Sequence, residues 1–482
     1  MPGQVEIERK YSLRKGQQLP GLGEIATEGT VAEFVLEATY YDAPDYRLTR
    51  AWQVIRRRVG GGDEGWHLKL PGTAADERLE LHAPLAQRRL PREFRERVHA
   101  TLAGAPVIPV AVLRTRRREQ QLCAPDGTVL AVTCVDQVRA SVGAQEQEWW
   151  EAEVELVGGD VAVLDQVEAA FARAGIHRAE SASKIARALD RALAVAQEPD
   201  PTARGAVLAY LAEQVGVLQD REIAVLADEP DAVHRSRVAT RRLRSVLRTY
   251  ADIFSSGTTR SLRAELRWHA EELGAPRDAE VLRERLLDAL TELAEDVRVV
   301  VGQRIESALS QAHVQAHAQL VTSMGTERYE RLQLDLEQLL ASPRLDRMAA
   351  EPANVVLRPM FDRAVARVRE LDAHAAARPG DLTRWHEVRK AAKTARYGAE
   401  LLVPVLGTQA ETCRARWEAV TEALGTMQDA VVAQRVIGDL AWQAVTDGLP
   451  RLPFDDLRHE QDRVLRDSLA RGRAALAAAL AC

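Results

Sequence analysis

The chain has 482 residues, of which 46% are hydrophobic and 28% charged, enough apolar side chain for several buried cores and too much for global disorder. Its 65 basic and 71 acidic side chains leave a net charge of −6, which excludes a uniformly basic nucleic-acid coat but not local concentrations of one sign. Four scattered cysteines offer neither a zinc ligand set nor a disulfide framework, and no uncharged apolar run reaches about 18 residues, so a membrane-spanning helix is excluded.

From residue 4 to about 157 the hydrophobic pattern alternates with period two. It predicts strands at 4–13, 31–41, 52–60, 65–71, 76–82, 107–121, 127–138 and 147–157. Short helices fit 90–102 and 160–174, and a further helical run starts near Ser183. Charges recur on one face of most strands: Glu6, Glu8 and Lys10; Arg56 and Arg58; Lys69; Arg78 and Glu80; Arg114, Arg116 and Arg118; Glu151, Glu153 and Glu155. One such strand is a sheet with a wet face. Repetition along the series predicts an eight-stranded antiparallel sheet closed into a tunnel, with the charged faces inside. Arginine and lysine match the oxygens of a polyanion. Clustered carboxylates among them call for a hard divalent ion, Mg²⁺ or Mn²⁺, bound together with phosphates.

Residues 196–202 read as a linker between a domain at 1–195 and one at 203–482. Beyond it the period is near 3.6, and helices are expected at 203–227, 231–253, 258–273, 278–297, 300–339, 355–376, 382–403, 409–424, 426–446 and 457–481. This half is duplicated. His234, Arg237, Arg241 and Arg244 precede Leu273, Gly274, Arg277 and Asp278; His386, Arg389, Lys393 and Arg396 precede Leu424, Gly425, Gln428 and Asp429. The four basic offsets are identical and keep each set near one helix face; Arg248 extends the first face and Lys390 lies beside the second. Matched unpaired cations predict an anion-binding surface. The basic helices lack aromatic interleaving and a reading motif, which argues against nucleic acid. The fold class expected is α+β and multidomain, an antiparallel tunnel followed by an all-α duplicated bundle.

The opening Glu6-Ile7-Glu8-Arg9-Lys10 resembles the ExExK signature of the CYTH family, the triphosphate tunnel metalloenzymes. Thr39 to Asp42, Arg56 to Arg58, Trp66 to Leu70, Arg114 to Arg118, Glu151 to Glu155 and Ser181 to Lys184 continue the resemblance over about residues 3–190. The resemblance implies metal held by Glu6, Glu8, Glu153 and Glu155, with Asp136 on the neighbouring strand. It implies catalytic roles for Glu6, Glu8, Lys10 and Lys69, and phosphate contacts from Arg56, Arg58, Arg78, Arg114, Arg116, Arg118 and Lys184. One strand departs from the family pattern, with Val132 and Val135 at two acidic positions. The helical half resembles the CHAD domain over about 203–480, which implies that His234, Arg237, Arg241, Arg244, Arg248, His386, Arg389, Lys390, Lys393 and Arg396 bind inorganic polyphosphate. Together these imply a divalent-metal-dependent inorganic triphosphatase of the cytoplasm, associated with polyphosphate granules. The alternative is a weakly catalytic or non-catalytic polyphosphate scaffold.

Overall fold

The computed structural model describes residues 3–482 except 75, 182, 196–199, 293–294 and 449. The chain divides into two compact units, one made of the residues up to 199 together with Glu337–Ser342, the other of the remainder. Most of the expected linker, and Ala182 of the Ser181–Lys184 motif, lie outside the described residues. The end of the linker is built in: Thr202 bridges Pro352, and its hydroxyl accepts the Gly205 N–H at 3.2 Å to cap the helix Ala203–Leu226.

The first unit contains β1 (Gln4–Leu13), β2 (Thr27–Asp42), β3 (Val54–Val59), β4 (Gly65–Pro71), β5 (Glu77–Ala83), β6 (Ile108–Cys123), β7 (Val129–Val142), β8 (Gln145–Leu156) and a two-residue β9 (His177–Arg178). All eight expected strands are present. Their order is β5-β4-β3-β2-β6-β7-β8-β1, and β1 returns to pair with β5, so the antiparallel ring closes. One edge of β1 is shared: Gln4–Ile7 lie on β5 and Tyr11–Ser12 on β9.

Closure sorts the side chains. Outside, Tyr11, Ala152 and Val154 pack with Leu164, Val167 and Phe171 of the helix Val161–Arg173. Ile55, Leu68 and Leu81 pack with Phe94, Val98 and Leu102 of the helix Arg92–Leu102. Arg9 also points outward, pairing with Asp76 at 2.9 Å, Asp165 at 2.7 Å and Glu168 at 2.9 Å. Inside, one end is filled: Ile185, Ala188 and Leu189 meet Tyr40, Leu113, Val138 and Trp149. Between β3 and β4 the chain turns at Gly60 with φ 89°, where a Cβ would lie 2.2 Å from the Val35 carbonyl oxygen, so glycine is required on both counts.

The second unit is helical. Its longer described helices are Ala203–Leu226, Ala232–Thr249, Glu295–Met324, Ala353–Ala376, Leu382–Leu406, Thr408–Thr446 and Leu452–Ala479. Several expected boundaries move. The run expected at 300–339 divides into Glu295–Met324 and Glu327–Ala341 around Gly325. Gly425 does not end a helix; Thr408–Thr446 passes straight through it. Pro276 and Pro453 stand in the first turns of the helices Gly274–Ala289 and Leu452–Ala479, where a missing N–H breaks no hydrogen bond. Among the described residues no helix is long and apolar enough to cross a membrane.

Candidate active site and anion site

Strand alternation carries the charges into the tunnel. A cavity of about 700 Å³ is lined by Glu6, Glu8 and Lys10 from β1, Arg56 and Arg58 from β3, Lys69 from β4, and Arg78 and Glu80 from β5. Arg117 and Glu119 from β6, Glu153 and Glu155 from β8, and Lys184 complete the wall. The Ser183 hydroxyl accepts the Ala186 N–H at 3.2 Å and starts the short helix Lys184–Ala188, which sets Lys184 at the buried end.

On β6 the expectation fails by one residue. Arg114, Arg116 and Arg118 are exposed on the outer face, and Arg114 pairs there with Glu37 at 2.7 Å. Arg117 turns inward instead, its Nε donating to Asp136 Oδ1 at 2.8 Å and its Nη2 to Asp136 Oδ2 at 2.6 Å and to Glu153. The reason is the run Arg114-Thr115-Arg116-Arg117-Arg118, which puts arginine on both faces; one step of parity exchanges every side chain. Val135 likewise points outward, into the cluster around Tyr11 and Val154, so an acid missing there takes nothing from the lumen. Val132 shares the inward face with Asp136 and stands opposite Glu155. Asp42, part of the family-like signature, is 1% exposed and accepts from the Ala43, Leu48 and Thr49 amides and the Thr49 hydroxyl, so it holds the turn after β2.

The carboxylates fall into two groups. Asp136, Glu151 and Glu153 bring oxygens within 4.8 Å of one another. The Lys184 ammonium meets all three, at 2.9, 2.8 and 2.6 Å, and Lys10 and Arg117 also pair with Glu153. Burial opposes their ionisation, yet these cations hold Asp136 and Glu153 below the usual carboxylate range. The second group is Glu6, Glu8 and Glu155. Burial raises Glu8, but Lys10 and Lys69 outweigh it and hold the carboxyl at about 2. Glu6 is raised by burial and by Glu8 and Glu80, against its Lys69 partner. Glu155 has no salt bridge among the described residues, and burial, then Glu6 and Glu8, push it up to about 7. Uncompensated hard oxygens of this kind fit a divalent cation.

The basic wall is crowded, although Arg56 pairs with Glu80 at 3.8 Å and Arg58 pairs with Asp63. Arg58 is lowered to about 10 by burial and by Arg56 and Arg117. The buried Nε atoms of Arg56 and Arg58 have no hydrogen-bond partner among the described residues. Glu80, which is held low by His67, Lys69 and Arg56 against its burial, links this wall to Lys69.

In the helical unit, Ala232–Thr249 and Leu382–Leu406 bring Arg237, Arg241, Arg389 and Lys393 together. Arg237 pairs with Asp278 at 2.7 Å; Arg241, Arg389 and Lys393 form no salt bridge among the described residues. Burial and the three arginines push Lys393 down to about 6, and burial with Arg237 takes Arg241 to about 10. The duplicated glycines explain the approach: the nearest atoms to a Cβ at Gly274 belong to Arg237 at 3.6 Å, and at Gly425 to Arg389 at 3.5 Å. His386 Nδ1 contacts Gln428 Oε1 at 2.9 Å, while His234 has Arg277 nearby; burial lowers both histidines. The other expected cations stand apart. Arg244 and Arg248 are exposed, Lys390 pairs with Glu387, and Arg396 pairs with Glu418.

Family models match this architecture: a CYTH domain at residues 4–189 and a CHAD domain at 209–438. The chain is 34% identical over 475 residues to uncharacterized protein Rv2226 of Mycobacterium tuberculosis, covering 92% of this chain and 90% of that protein. The chain therefore belongs to the family that joins a CYTH domain to a CHAD domain. Among solved structures, PptA from Streptomyces chartreusis is 20% identical and covers 57% of this chain and 99% of its own (TM-score 0.48). The CHAD domain from the plant Ricinus communis is 24% identical and covers 58% and 93% (TM-score 0.47). The CYTH domain is that of the triphosphate tunnel metalloenzymes.

Proposed function

We propose that the tunnel hydrolyses inorganic triphosphate, giving diphosphate and phosphate, and that the paired basic helices bind inorganic polyphosphate. The observation that carries the first reading is one enclosed wall that sets a carboxylate group, Glu6, Glu8 and Glu155, of which Glu155 has no salt bridge among the described residues, against crowded guanidinium groups, Arg56, Arg58 and Arg117. A polyphosphate chain with its metal answers both imbalances. Lys10, Lys69, Arg56, Arg58 and Arg117 grip phosphate oxygens and take up the charge that spreads over them during transfer. Glu6, Glu8 and Glu155 would hold Mg²⁺ or Mn²⁺, which when bound would supply charge neutralisation and orient a water. Asp136 and Glu153 fix Arg117 and Lys184, and Lys184 offers its ammonium at the closed end. Arg78 lines the approach.

The test is phosphate release from triphosphate by the full chain with Mg²⁺ and Mn²⁺. Glu8→Gln is expected to lower turnover by about 10²-fold or more with the fold intact. Turnover equal to the parent overturns the assignment. Val132 beside Glu155 favours a second reading, a tunnel that binds and turns over slowly; triphosphate binding without phosphate release by the parent chain would establish it.

A further inference from the structure

The turn between β3 and β4, residues 60–65, does more than connect two strands. Gly61, Gly62 and Asp63 line the tunnel cavity. Although four of its six residues are glycine, the turn is pinned from β4 and β5. His67 Nε2 lies 3.0 Å from the Asp63 carbonyl oxygen, and His82 Nε2 lies 3.1 Å from the Glu64 carbonyl oxygen. Glu64 Oε1 accepts the Gly60 N–H at 2.5 Å. The Asp63 side chain is thereby set against the wall, where its Oδ2 pairs with Arg58 Nη2.

The sign of the wall changes here. β3 presents Arg56 and then Arg58 to the cavity, and the next charge facing it along the chain is Asp63. β6 repeats the pattern: Arg117 is followed two residues on, along the same face, by Glu119, which lies 3.7 Å from the Arg117 guanidinium. The Asp63 and Glu119 side chains are 61% and 33% exposed, against 8% for Arg58 and 12% for Arg117, so each acid stands on the solvent side of the cation it meets. From β2, which runs between β3 and β6, the cavity is lined at this level by Phe34 and Leu36, whose side chains offer no donor. The opposite end, behind Lys184, is filled by Ile185, Ala188 and Leu189.

We propose, resting on the triphosphate reading of the tunnel, that Asp63 and Glu119 limit the length of the phosphate chain the tunnel accepts. A chain held between Lys184 and Arg58 finds cations along its length. One further phosphate, beyond Arg58 and Arg117, meets two carboxylates and two apolar side chains, with nothing to take its charge. A longer chain shares every favourable contact of a shorter one, so attraction alone cannot reject it. Rejection needs a repulsive element, and the two acids supply it.

The experiment is calorimetric titration of the full chain with inorganic triphosphate and with linear tetraphosphate, each with Mg²⁺. Arg237, Arg241, Arg389 and Lys393 are replaced by glutamine throughout, so that the helical site takes no share of either ligand. This parent is expected to bind triphosphate at least about tenfold more tightly than tetraphosphate. Asp63→Asn keeps the size of the side chain and removes its charge, and should bring the two affinities to within about threefold. Glu119→Gln should narrow the ratio by itself, a readout that does not depend on the turn. Tetraphosphate bound by the parent as tightly as triphosphate, its extra phosphate leaving past Arg78, overturns the proposal. So does a preference for triphosphate that survives in the double variant. Failure of the hydrolase reading looks different: a parent that selects triphosphate and releases no phosphate keeps the length limit and loses the hydrolysis, whereas phosphate release with equal affinity for both chains does the reverse.

Discussion

Among the shifted groups, Lys393 and Glu155 are each held in the uncharged form that a charged ligand would reverse. Lys393 has a folded pKa near 6 against an ordinary 10.5. Between those values the unfolded chain binds a proton that the native amine lacks, so this lysine's contribution to stability grows as pH rises through that window. A polyanion restores the ammonium and takes up the proton. Polyphosphate affinity at fixed ionic strength is therefore expected to weaken from pH 6 to pH 8, by at most about tenfold per unit, and Lys393→Arg is expected to flatten the profile. His234 and His386 are both lowered from 6.5, by burial first and then by neighbouring cations. Glu155 works in the other direction. Its carboxyl, near 7 in the fold, keeps a proton that the unfolded chain has released from about 4.5 upward, so the metal-free chain loses stability as pH rises from about 4.5 to 7. A divalent cation replaces that proton. The rise in melting temperature on adding Mg²⁺ is expected to be larger at pH 8 than at pH 6, and Glu155→Gln should remove most of the difference.

At the scale of elements, Gly425 shows how a residue read as a helix breaker does something else. It sits inside Thr408–Thr446 because the Arg389 guanidinium crosses it at contact distance. A Cβ would meet Arg389 at 3.5 Å, an ordinary contact, so Gly425→Ala should keep the site and gain helix propensity, about 0.8–1 kcal/mol in thermal or urea unfolding. Gly425→Leu has no such room, and polyphosphate binding is the measurement that should fall. The same residue marks the limit of sequence reading. Eight strands, the two basic helices and the inward parity of Glu6, Glu8, Arg56, Lys69 and Glu153 were legible, since alternation and helical offset depend on neighbours in the chain. Arg117 was not, because arginines on both faces of β6 leave its parity undetermined until β7 and β8 present Asp136 and Glu153. The partition of the helix cations was hidden for a similar reason. Lys390 and Arg396 find Glu387 and Glu418, while Lys393 finds only other cations and Asp429.

Over the whole molecule, a net charge of −6 coexists with two concentrations of cations, and the two differ in their surroundings. In the tunnel, arginines and lysines alternate with carboxylates inside a closed ring of strands, so each ligand phosphate exchanges one set of short enclosed contacts for another. Enclosed charges are weakly screened by salt. On the helices, the half-buried cluster of Arg237, Arg241, Arg389 and Lys393 has no enclosing ring of strands, and a long polyanion bound there releases its condensed counterions. The two ligands should therefore respond differently to ionic strength. Raising salt from about 50 to about 200 mM is expected to weaken long-chain polyphosphate binding by about 10²-fold or more if at least four cations engage, following the linear dependence of log affinity on log salt. The KM for triphosphate should move by less. Replacing Arg237, Arg241, Arg389 and Lys393 together by glutamine should reduce the slope of the polyphosphate titration and leave the salt response of triphosphate turnover as it was. An unchanged polyphosphate slope in that variant would mean that the chain is held elsewhere than on the paired helices.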